Sequence, residues 1–314
     1  MAKKLGLALG SGAARGWAHI GVLEGLAEMG VKPDVIAGCS VGALVGGAHL
    51  IGALDDFEAW ARELKPLSMF GAFGLKVSSG GLIDSGPAFE AFRDYDQAIE
   101  DLAVKFGAVA TDLGDGAEIW LTEGSMIDAV RASSAIPVVF HAVRRGDRWL
   151  VDGAVSNPVP TALARHLGAD VTIAVNLNAV PVVIERFDPP PPSPPVLRTE
   201  PALPAIPPAD EANVGEVLSA TVQRFIEDTR RRIDEQLMLS KARADAQPRL
   251  FETAYAAADI FQMHLAEARA RLDPPDIALK PDMRAAFPAS FENADDFVAE
   301  GKRALLEKRT EIEA

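Results

Sequence analysis

The chain has 314 residues, 48% hydrophobic and 24% charged, a composition typical of a globular protein large enough to bury its own core. Its 45 acidic and 31 basic residues give a net charge of −14, which argues against nucleic-acid binding and against a general electrostatic attraction to anionic membranes. The single cysteine, Cys39, excludes an intramolecular disulfide and a cysteine cluster for zinc.

The first part of the chain alternates between short apolar runs and segments with helical spacing. Strands are predicted at Leu5–Leu9 and Val35–Ala37, and helices at Trp17–Met29 and Val41–Leu54. Strand, helix, strand and helix joined by tight connections predict a parallel sheet with right-handed crossovers.

The same alternation continues to about residue 180. Further elements are predicted as strands at Phe106–Thr111, Glu118–Thr122, Trp149–Val151 and Val171–Leu177, and as helices at Met126–Ser133 and Pro158–Leu167. We therefore predict that residues 1–180 form one α/β domain, with three αβα layers around a mainly parallel sheet.

The composition changes after residue 180. Half of the 22 prolines lie between Pro181 and Pro208, so residues 181–210 are predicted to be a proline-rich linker or exposed loop. Residues 211–314 are predicted to form a helical region that packs on the first domain. Its apolar positions fall at Leu218, Val222, Phe225, Ile233 and Leu237, then at Phe261, Leu265 and Leu272.

A G-x-S-x-G pattern, Gly38-Cys39-Ser40-Val41-Gly42, lies between a predicted strand and a predicted helix. A serine hydroxyl becomes a useful nucleophile when a sharp turn presents it and a base removes its proton. The helix that follows also directs its positive end at the serine. The pattern predicts Ser40 as a nucleophile in an elbow where Gly38 and Gly42 allow close approach of neighbouring segments. A structural turn with a capping serine is the alternative.

A second pattern, Gly10–Gly16, directly follows the first predicted strand. It does not match a dinucleotide site, because Arg15 stands three positions after Gly12 where that pattern requires glycine. It also lacks the Gly-Lys-Ser/Thr of a phosphate-binding loop. Two interpretations remain: a structural glycine turn, or an oxyanion hole whose backbone donors come from Gly12 and Ala13.

The base that would activate Ser40 has several candidates. A triad could combine Asp152 with His166 or His264, but neither histidine lies in a loop just after a strand, where a catalytic histidine is usually presented. Asp152 ends a predicted strand and is followed by Gly153-Ala154. If its carboxylate contacts Ser40 directly, no histidine is needed, and partial burial would raise its pKa and improve it as a base.

Together these motifs resemble the patatin-like phospholipase family, and more closely its bacterial esterase branch, which is related to the catalytic domain of neuropathy target esterase. The resemblance rests on the loop with Arg15-Gly16, the Ser40 elbow and Asp152-Gly153-Ala154, in that order. The stretches Ala132–Pro137 and Asn157–Pro160 are also similar to the family. The resemblance is strong over residues 5–178 and weaker over residues 274–297.

The resemblance implies a patatin fold with a serine–aspartate dyad. It assigns Ser40 as nucleophile, Asp152 as base, Gly12, Ala13 and Ala14 as oxyanion-hole residues, and Arg15 as the residue that fixes the oxyanion loop. Ser11 and Ala13 stand where family members often have glycine, but alanine keeps its N–H group. The proline-rich stretch Pro181–Pro208 is not part of the family pattern.

The implied activity is that of a serine esterase or lipid acyl hydrolase, which cleaves acyl esters of phospholipids or lysophospholipids through an acyl-enzyme intermediate. Two alternatives are an acyltransferase that uses an alcohol or lysolipid acceptor, and a catalytically weak lipid-binding regulatory protein. We expect a lipid or ester substrate, no metal, no cofactor and no nucleic acid. The lone cysteine favours the cytoplasm, whereas peripheral membrane contact and the oligomeric state are left open.

Overall fold

The computed structural model describes residues 3–63, 75–78, 81–179, 250–283 and 293–313. The proline-rich linker 181–210 and the amphipathic stretch Leu218–Leu237 lie outside these ranges. The chain divides into two compact units, one formed by Met1–Val183 with Ala256–Ala314 and the other by Ile184–Tyr255. The sheet and the site described below belong to the first unit.

The described residues form ten strands and nine α-helices. The strands are β1 Leu5–Leu9, β2 Val35–Cys39, β3 Leu75–Ser78, β4 Gly81–Ile83, β5 Lys105–Asp112, β6 Glu118–Leu121, β7 Val143–Arg145, β8 Arg148–Asp152, β9 Val171–Val175 and β10 Ile277–Leu279. The helices are α1 Trp17–Glu28, α2 Val41–Leu50, α3 Leu54–Glu63, α4 Gly86–Glu90, α5 Met126–Ser133, α6 Thr161–His166, α7 Leu250–Leu272, α8 Ala294–Leu306 and α9 Arg309–Glu313.

Eight of these strands form one mixed sheet in the order β10-β9-β1-β2-β5-β8-β7, with β6 also paired to β5. The five strands from β10 to β5 run parallel, β6 and β8 each pair antiparallel with β5, and β7 pairs antiparallel with β8. Strands β3 and β4 form a separate hairpin. In the large sheet, the carboxyl ends of β1 and β2 lie side by side, so the segments that follow them are neighbours.

Side chains from alternate strand positions point to opposite faces of the sheet, and each face carries its own core. Leu7 and Leu9 belong to the larger core, which is completed by α1, α2, α5 and α8. Ala8 belongs to a smaller core that is completed by α6. Helices therefore cover both faces, and the predicted three-layer α/β fold is confirmed.

The backbones of helices α1 and α8 contact each other directly at two glycines, Gly21 and Gly301. A Cβ atom added to Gly21 would lie 1.9 Å from the carbonyl oxygen of Val298, and one added to Gly301 would lie 1.9 Å from that of Ala18. The two backbones are thus too close for any side chain between them. Helix α8, which comes from the C-terminal part of the chain, therefore packs directly against the first helix of the fold.

We expect Gly21→Ala to lower the free energy of unfolding by about 2–3 kcal/mol, because the two helix backbones must move apart. Gly25→Ala is the matched control on the same helix, since its Cβ would meet side-chain atoms and no backbone, the nearest being Cδ2 of Leu305 at 2.6 Å. The end of that side chain can rotate, and alanine favours the helix by about 1 kcal/mol. Urea denaturation of both variants tests this, and equal losses would contradict it.

Two differences from the sequence-based elements have clear causes. The predicted helix Val41–Leu54 ends at Leu50, because Gly52 adopts a positive φ of 72° and α3 begins at Leu54. On α7, Phe261 is 78% and Leu272 is 82% exposed. The sequence pattern predicted that both side chains pack on the first domain, and they do not. The buried face of α7 includes Asp259 and Ala266 instead.

Candidate active site

Ser40 occupies the turn between β2 and α2. Its backbone has φ 56° and ψ −122°, a region that non-glycine residues rarely adopt and that costs on the order of 1–3 kcal/mol. The turn is held by its neighbours, because the Ser40 amide donates to Oγ of Ser133 at 2.9 Å and Oγ of Ser134 donates to the Ser40 carbonyl at 3.2 Å. This is the geometry of a nucleophile elbow.

The glycines on either side of Ser40 allow the close approaches that such a turn requires. A Cβ atom on Gly42 would lie 2.1 Å from the carbonyl oxygen of Leu9, and one on Gly38 would lie 2.3 Å from Cα of Ala43. Both contacts are with backbone, which cannot rotate away. The elbow therefore packs directly against the end of β1, where the glycine loop begins.

The structure brings Ser40 and Asp152 together. Strand β5 pairs Val109 with Cys39 and its next residue, Ala110, with Asp152, so the ends of β2 and β8 meet. Ser40 Oγ donates to Asp152 Oδ2 at 2.5 Å, and the amide of Ala154 donates to the other carboxylate oxygen at 2.8 Å. The amide of Asp152 donates to the Ala135 carbonyl.

Both residues are almost completely buried, with Ser40 6% and Asp152 3% exposed. Burial raises the pKa of Asp152 from its ordinary value of 3.8 to about 6, against the lowering effect of its hydrogen bonds from Ser40 and Ala154. The carboxylate is thus ionised at neutral pH but more basic than a surface aspartate. Because the carboxylate is charged in the resting protein, it can accept the Ser40 proton.

The glycine loop runs beside the elbow. The amides of Gly10 and Ser11 donate to the carbonyls of Val175 and Pro158, at 3.0 and 2.8 Å. By contrast, the next three amides, those of Gly12, Ala13 and Ala14, have no acceptor in the part of the chain that the structure describes. Ala13 also has a positive φ of 50°. Three consecutive N–H groups without acceptors are the feature that an oxyanion hole needs.

Arg15 lies behind this loop and is 1% exposed. Its Nε donates to the Gly12 carbonyl at 3.1 Å, and its Nη2 donates to Asn178 Oδ1 and to Asp259 Oδ1, each at 2.5 Å. His19 holds the start of the loop through a 2.7 Å hydrogen bond between Nε2 and the Gly10 carbonyl. Burial lowers the His19 pKa to about 4, so this imidazole is neutral and Nε2 carries its proton.

The other residues considered from the sequence lie elsewhere. His166 packs its ring on Trp120, with the centroids 4.6 Å apart, and His264 is exposed on α7. Cys39 is fully buried, and burial together with the charge of Asp152 raises its thiol pKa well above the ordinary range. A thiol in that state is a poor nucleophile.

Several contributors to this site were not identified from the sequence. Ser133, Ser134 and Ala135 bind the backbones of Ser40 and Asp152, although the stretch around them was noted only for its resemblance. Asn178 and Asp259 hold Arg15, and no local pattern marks either of them. Their contacts join segments far apart in the chain, so only the folded structure brings them to the site.

The described residues include no clustered metal-binding side chains and no membrane-spanning helix. Among them, no group of three or more histidine, cysteine, aspartate or glutamate side chains is placed to hold a metal ion. None of the helices in the described ranges combines the length and the apolar character needed to cross a bilayer.

Known proteins match about half of this chain. The family model of the patatin-like phospholipases matches residues 7–165. An "uncharacterized NTE family protein" of Mycobacterium tuberculosis is 42% identical over 177 residues, which is 56% of this chain and 49% of that protein. Patatin-like phospholipase domain-containing protein 7 of Mus musculus is 31% identical over 194 residues, 56% of this chain and 14% of that protein.

A third relative, lysophospholipase nte1 of Emericella nidulans, is 28% identical over 188 residues, 57% of this chain and 12% of that protein. The matched region thus spans about half the length of the mycobacterial relative and smaller shares of the other two. The region matched by the family model covers half of this chain and includes the glycine loop, the Ser40 elbow and Asp152. The chain belongs to the patatin-like phospholipase family.

Proposed function

We propose that this protein is a serine esterase that hydrolyses acyl esters of lipids through a Ser40–Asp152 dyad. The observation that carries the proposal is the 2.5 Å hydrogen bond from Ser40 Oγ to Asp152 Oδ2 at the end of β2. A buried carboxylate with a pKa of about 6 supports it, because such a group is a stronger base than an exposed aspartate. Neither His166 nor His264 has a part in this scheme.

In the acylation step, Ser40 Oγ attacks the ester carbonyl carbon while its proton passes to Asp152 Oδ2. The carbonyl oxygen becomes an oxyanion, which accepts hydrogen bonds from the N–H groups of Gly12, Ala13 and Ala14. When this intermediate collapses, the ester bond breaks, and the leaving alcohol takes the proton from Asp152. The acyl group remains on Ser40 as an ester.

In the deacylation step, water takes the place of the alcohol. Asp152 accepts a proton from the water as its oxygen attacks the acyl carbonyl, and the same N–H groups stabilise the second oxyanion. Collapse releases the carboxylic acid and returns the proton to Ser40. The cycle requires no group besides the protein, the ester and water.

We propose phospholipids or lysophospholipids as the substrates. The family of the chain and a relative named as a lysophospholipase support this class. We also propose that the protein acts in the cytoplasm, where a lone reduced Cys39 is stable, and that it meets its substrate at lipid surfaces. We further propose that residues 1–180 form the catalytic domain, residues 181–210 a linker and residues 211–314 a region packed on that domain.

Labelling and hydrolysis test the dyad directly. A fluorophosphonate probe should modify the wild-type protein on Ser40, located by peptide mass spectrometry, and p-nitrophenyl butyrate and lysophosphatidylcholine should be hydrolysed. Ser40→Ala should lose the label and at least about 10³-fold in kcat. Cys39→Ala is the control and should retain both within about threefold, because the buried thiol takes no part.

Absence of labelling and hydrolysis in the wild type, with and without lipid micelles, would overturn the esterase proposal. Labelling of Ser40 with acyl transfer to an added alcohol or lysolipid in place of water would identify an acyltransferase instead.

A further inference from the structure

Helix α7 contributes two polar side chains to the back of the glycine loop. Asp259 Oδ1 accepts from Arg15 Nη2 at 2.5 Å, and Gln262 Oε1 accepts from Ser11 Oγ at 2.8 Å. Gln262 follows Asp259 by three positions, so both lie on one face of the helix. Asn178 links the two contacts, since its Nδ2 donates to Ser11 Oγ at 2.8 Å and its Oδ1 accepts from Arg15.

This network holds the two peptide groups whose N–H groups face the oxyanion in the proposed mechanism. The Ser11 carbonyl accepts from Asn178 Nδ2 at 3.1 Å, and the Gly12 carbonyl accepts from Arg15 Nε at 3.1 Å. In a trans peptide the C=O and the following N–H point in opposite directions, and the described chain has no cis peptide bond. Drawing these carbonyls backward therefore turns the N–H groups of Gly12 and Ala13 forward.

The loop needs such a restraint. Ala13 has a positive φ of 50°, a conformation that is unfavourable for a residue with a Cβ atom. Without the two carbonyl contacts, the Gly12–Ala13 peptide could rotate and relieve the strain, and its N–H would no longer face the substrate. A strained backbone persists where its surroundings hold it in place.

Arg15 can provide that restraint only if its own position is fixed. Its guanidinium is 1% exposed, and Asp259, 3% exposed, is the carboxylate that pairs with it. A buried arginine that loses its partner is strongly destabilised and moves toward water or another acceptor. Such a movement would remove the side-chain hydrogen bond to the Gly12 carbonyl and leave that carbonyl held only by the Arg15 amide, at 3.1 Å.

We propose that Asp259, supported by Gln262, is a positioning residue of the oxyanion hole, which acts through Arg15 to aim the N–H groups of Gly12 and Ala13. The inference rests on the proposed function and extends it, because it makes a helix from beyond residue 250 part of the catalytic apparatus. Asp259 touches no reacting atom. Its effect should therefore fall on transition-state stabilisation and leave ester binding unchanged.

Asp259→Asn is the first test, because it removes the charge and keeps the shape. With p-nitrophenyl butyrate, kcat should fall by about 10- to 100-fold while KM stays within about twofold, since a misdirected hole loses part of the stabilisation that one oxyanion donor provides. Asp259→Glu, which restores the charge, should recover part of kcat. Asp273→Asn is the matched control, because Asp273 follows α7 directly and pairs with Arg165 away from the loop.

Hydrogen–deuterium exchange of the peptide covering residues 10–16 supplies a measurement that does not depend on activity. Asp259→Asn should accelerate exchange of this peptide at least about fivefold, because the Gly12 carbonyl, which accepts from the Arg15 amide, is no longer held in place, whereas Asp273→Asn should not. If Asp259→Asn does not fold, Gln262→Leu takes its place, with a fall in kcat of about three- to tenfold and faster exchange of the same peptide.

The outcomes separate the two proposals. Wild-type kcat and exchange in Asp259→Asn would overturn the positioning role and leave the esterase proposal intact. A wild type that neither hydrolyses esters nor labels at Ser40 would overturn the esterase proposal, and the exchange result would still decide whether α7 fixes the loop. A rise in KM with unchanged kcat would assign Asp259 to substrate binding and would also overturn the inference.

Discussion

Asparagine in place of Asp152 should reduce ester hydrolysis by about 10³-fold and at the same time stabilise the protein at pH 8. The amide cannot accept the Ser40 proton, so the nucleophile is no longer activated. Its Oδ1 can still accept from Ala154 and its Nδ2 can reach Ser40 Oγ, so the turn keeps its shape. The buried negative charge, however, is removed.

The stability gain should depend on pH in a defined way. A folded-state pKa of about 6 against an ordinary value of 3.8 means that ionised Asp152 costs about 3 kcal/mol in the native state. Below about pH 4 the Asp152 carboxyl is protonated in both the folded and the unfolded protein, so this cost vanishes. The cost increases between about pH 4 and 6, where only the unfolded protein is ionised, and is constant above about pH 6. The free-energy difference between Asp152→Asn and wild type should follow the same course and rise by about 3 kcal/mol from pH 4 to pH 8.

Urea denaturation at pH 4.5, 6 and 8 measures this free-energy difference. The pH profile of wild-type kcat/KM reports the ionisation of Asp152 during catalysis. That profile should fall tenfold per pH unit below about 6 and be level above it. Asp112→Asn is the control, because Asp112 is also buried but pairs with Arg148 at 2.7 Å. It should lose stability. Hydrolysis by Asp152→Asn at the wild-type rate would contradict the assignment of the base.

Alanine in place of Gly42 should damage stability and activity together. Its Cβ would lie 2.1 Å from the Leu9 carbonyl oxygen and 2.7 Å from that of Gly10, both at the start of the glycine loop. Because both atoms belong to the backbone, α2 and β1 must separate. We expect the free energy of unfolding to fall by about 3 kcal/mol and kcat to fall by at least about 100-fold.

Gly47→Ala on the same helix is the matched control. Its Cβ would meet only side-chain atoms, at 3.0 Å from Cγ2 of Val130 and 3.1 Å from Sδ of Met126. Its unfolding free energy should stay within about 1 kcal/mol of the wild type and its kcat within about threefold. Urea denaturation and p-nitrophenyl butyrate kinetics compare the two variants. If Gly42→Ala behaved like Gly47→Ala, the elbow would not depend on contact with β1.

Local patterns were sufficient for most of the sheet. Leu5–Leu9 and Met126–Ser133 were predicted with the bounds that the structure has, because a buried parallel strand is an uninterrupted apolar run and a short helix with a serine cap has a clear start. The antiparallel strand Val143–Arg145 was missed. It is only partly buried and carries two arginines, so it shows no apolar alternation.

For the candidate site, the sequence indicated the residues that lie in compact motifs. Ser40, Asp152 and the loop around Gly12 each follow a strand and are flanked by small residues, which gives them a local signature. Asp259 has no such signature, since it lies in the middle of a helix where an acidic residue usually faces water. Its burial depends on Arg15, 244 positions away, and no periodicity can reveal a partner at that distance.

The glycine contact between α1 and α8 also has a consequence for biosynthesis. The ribosome releases α1 long before α8, and β9 long before β10, so a growing chain carries an apolar helix face without its cover and an open strand edge. Exposed surfaces of this kind attract chaperones and other nascent chains. The domain can close around its first helix only when translation has passed residue 306, long after that helix itself has been made.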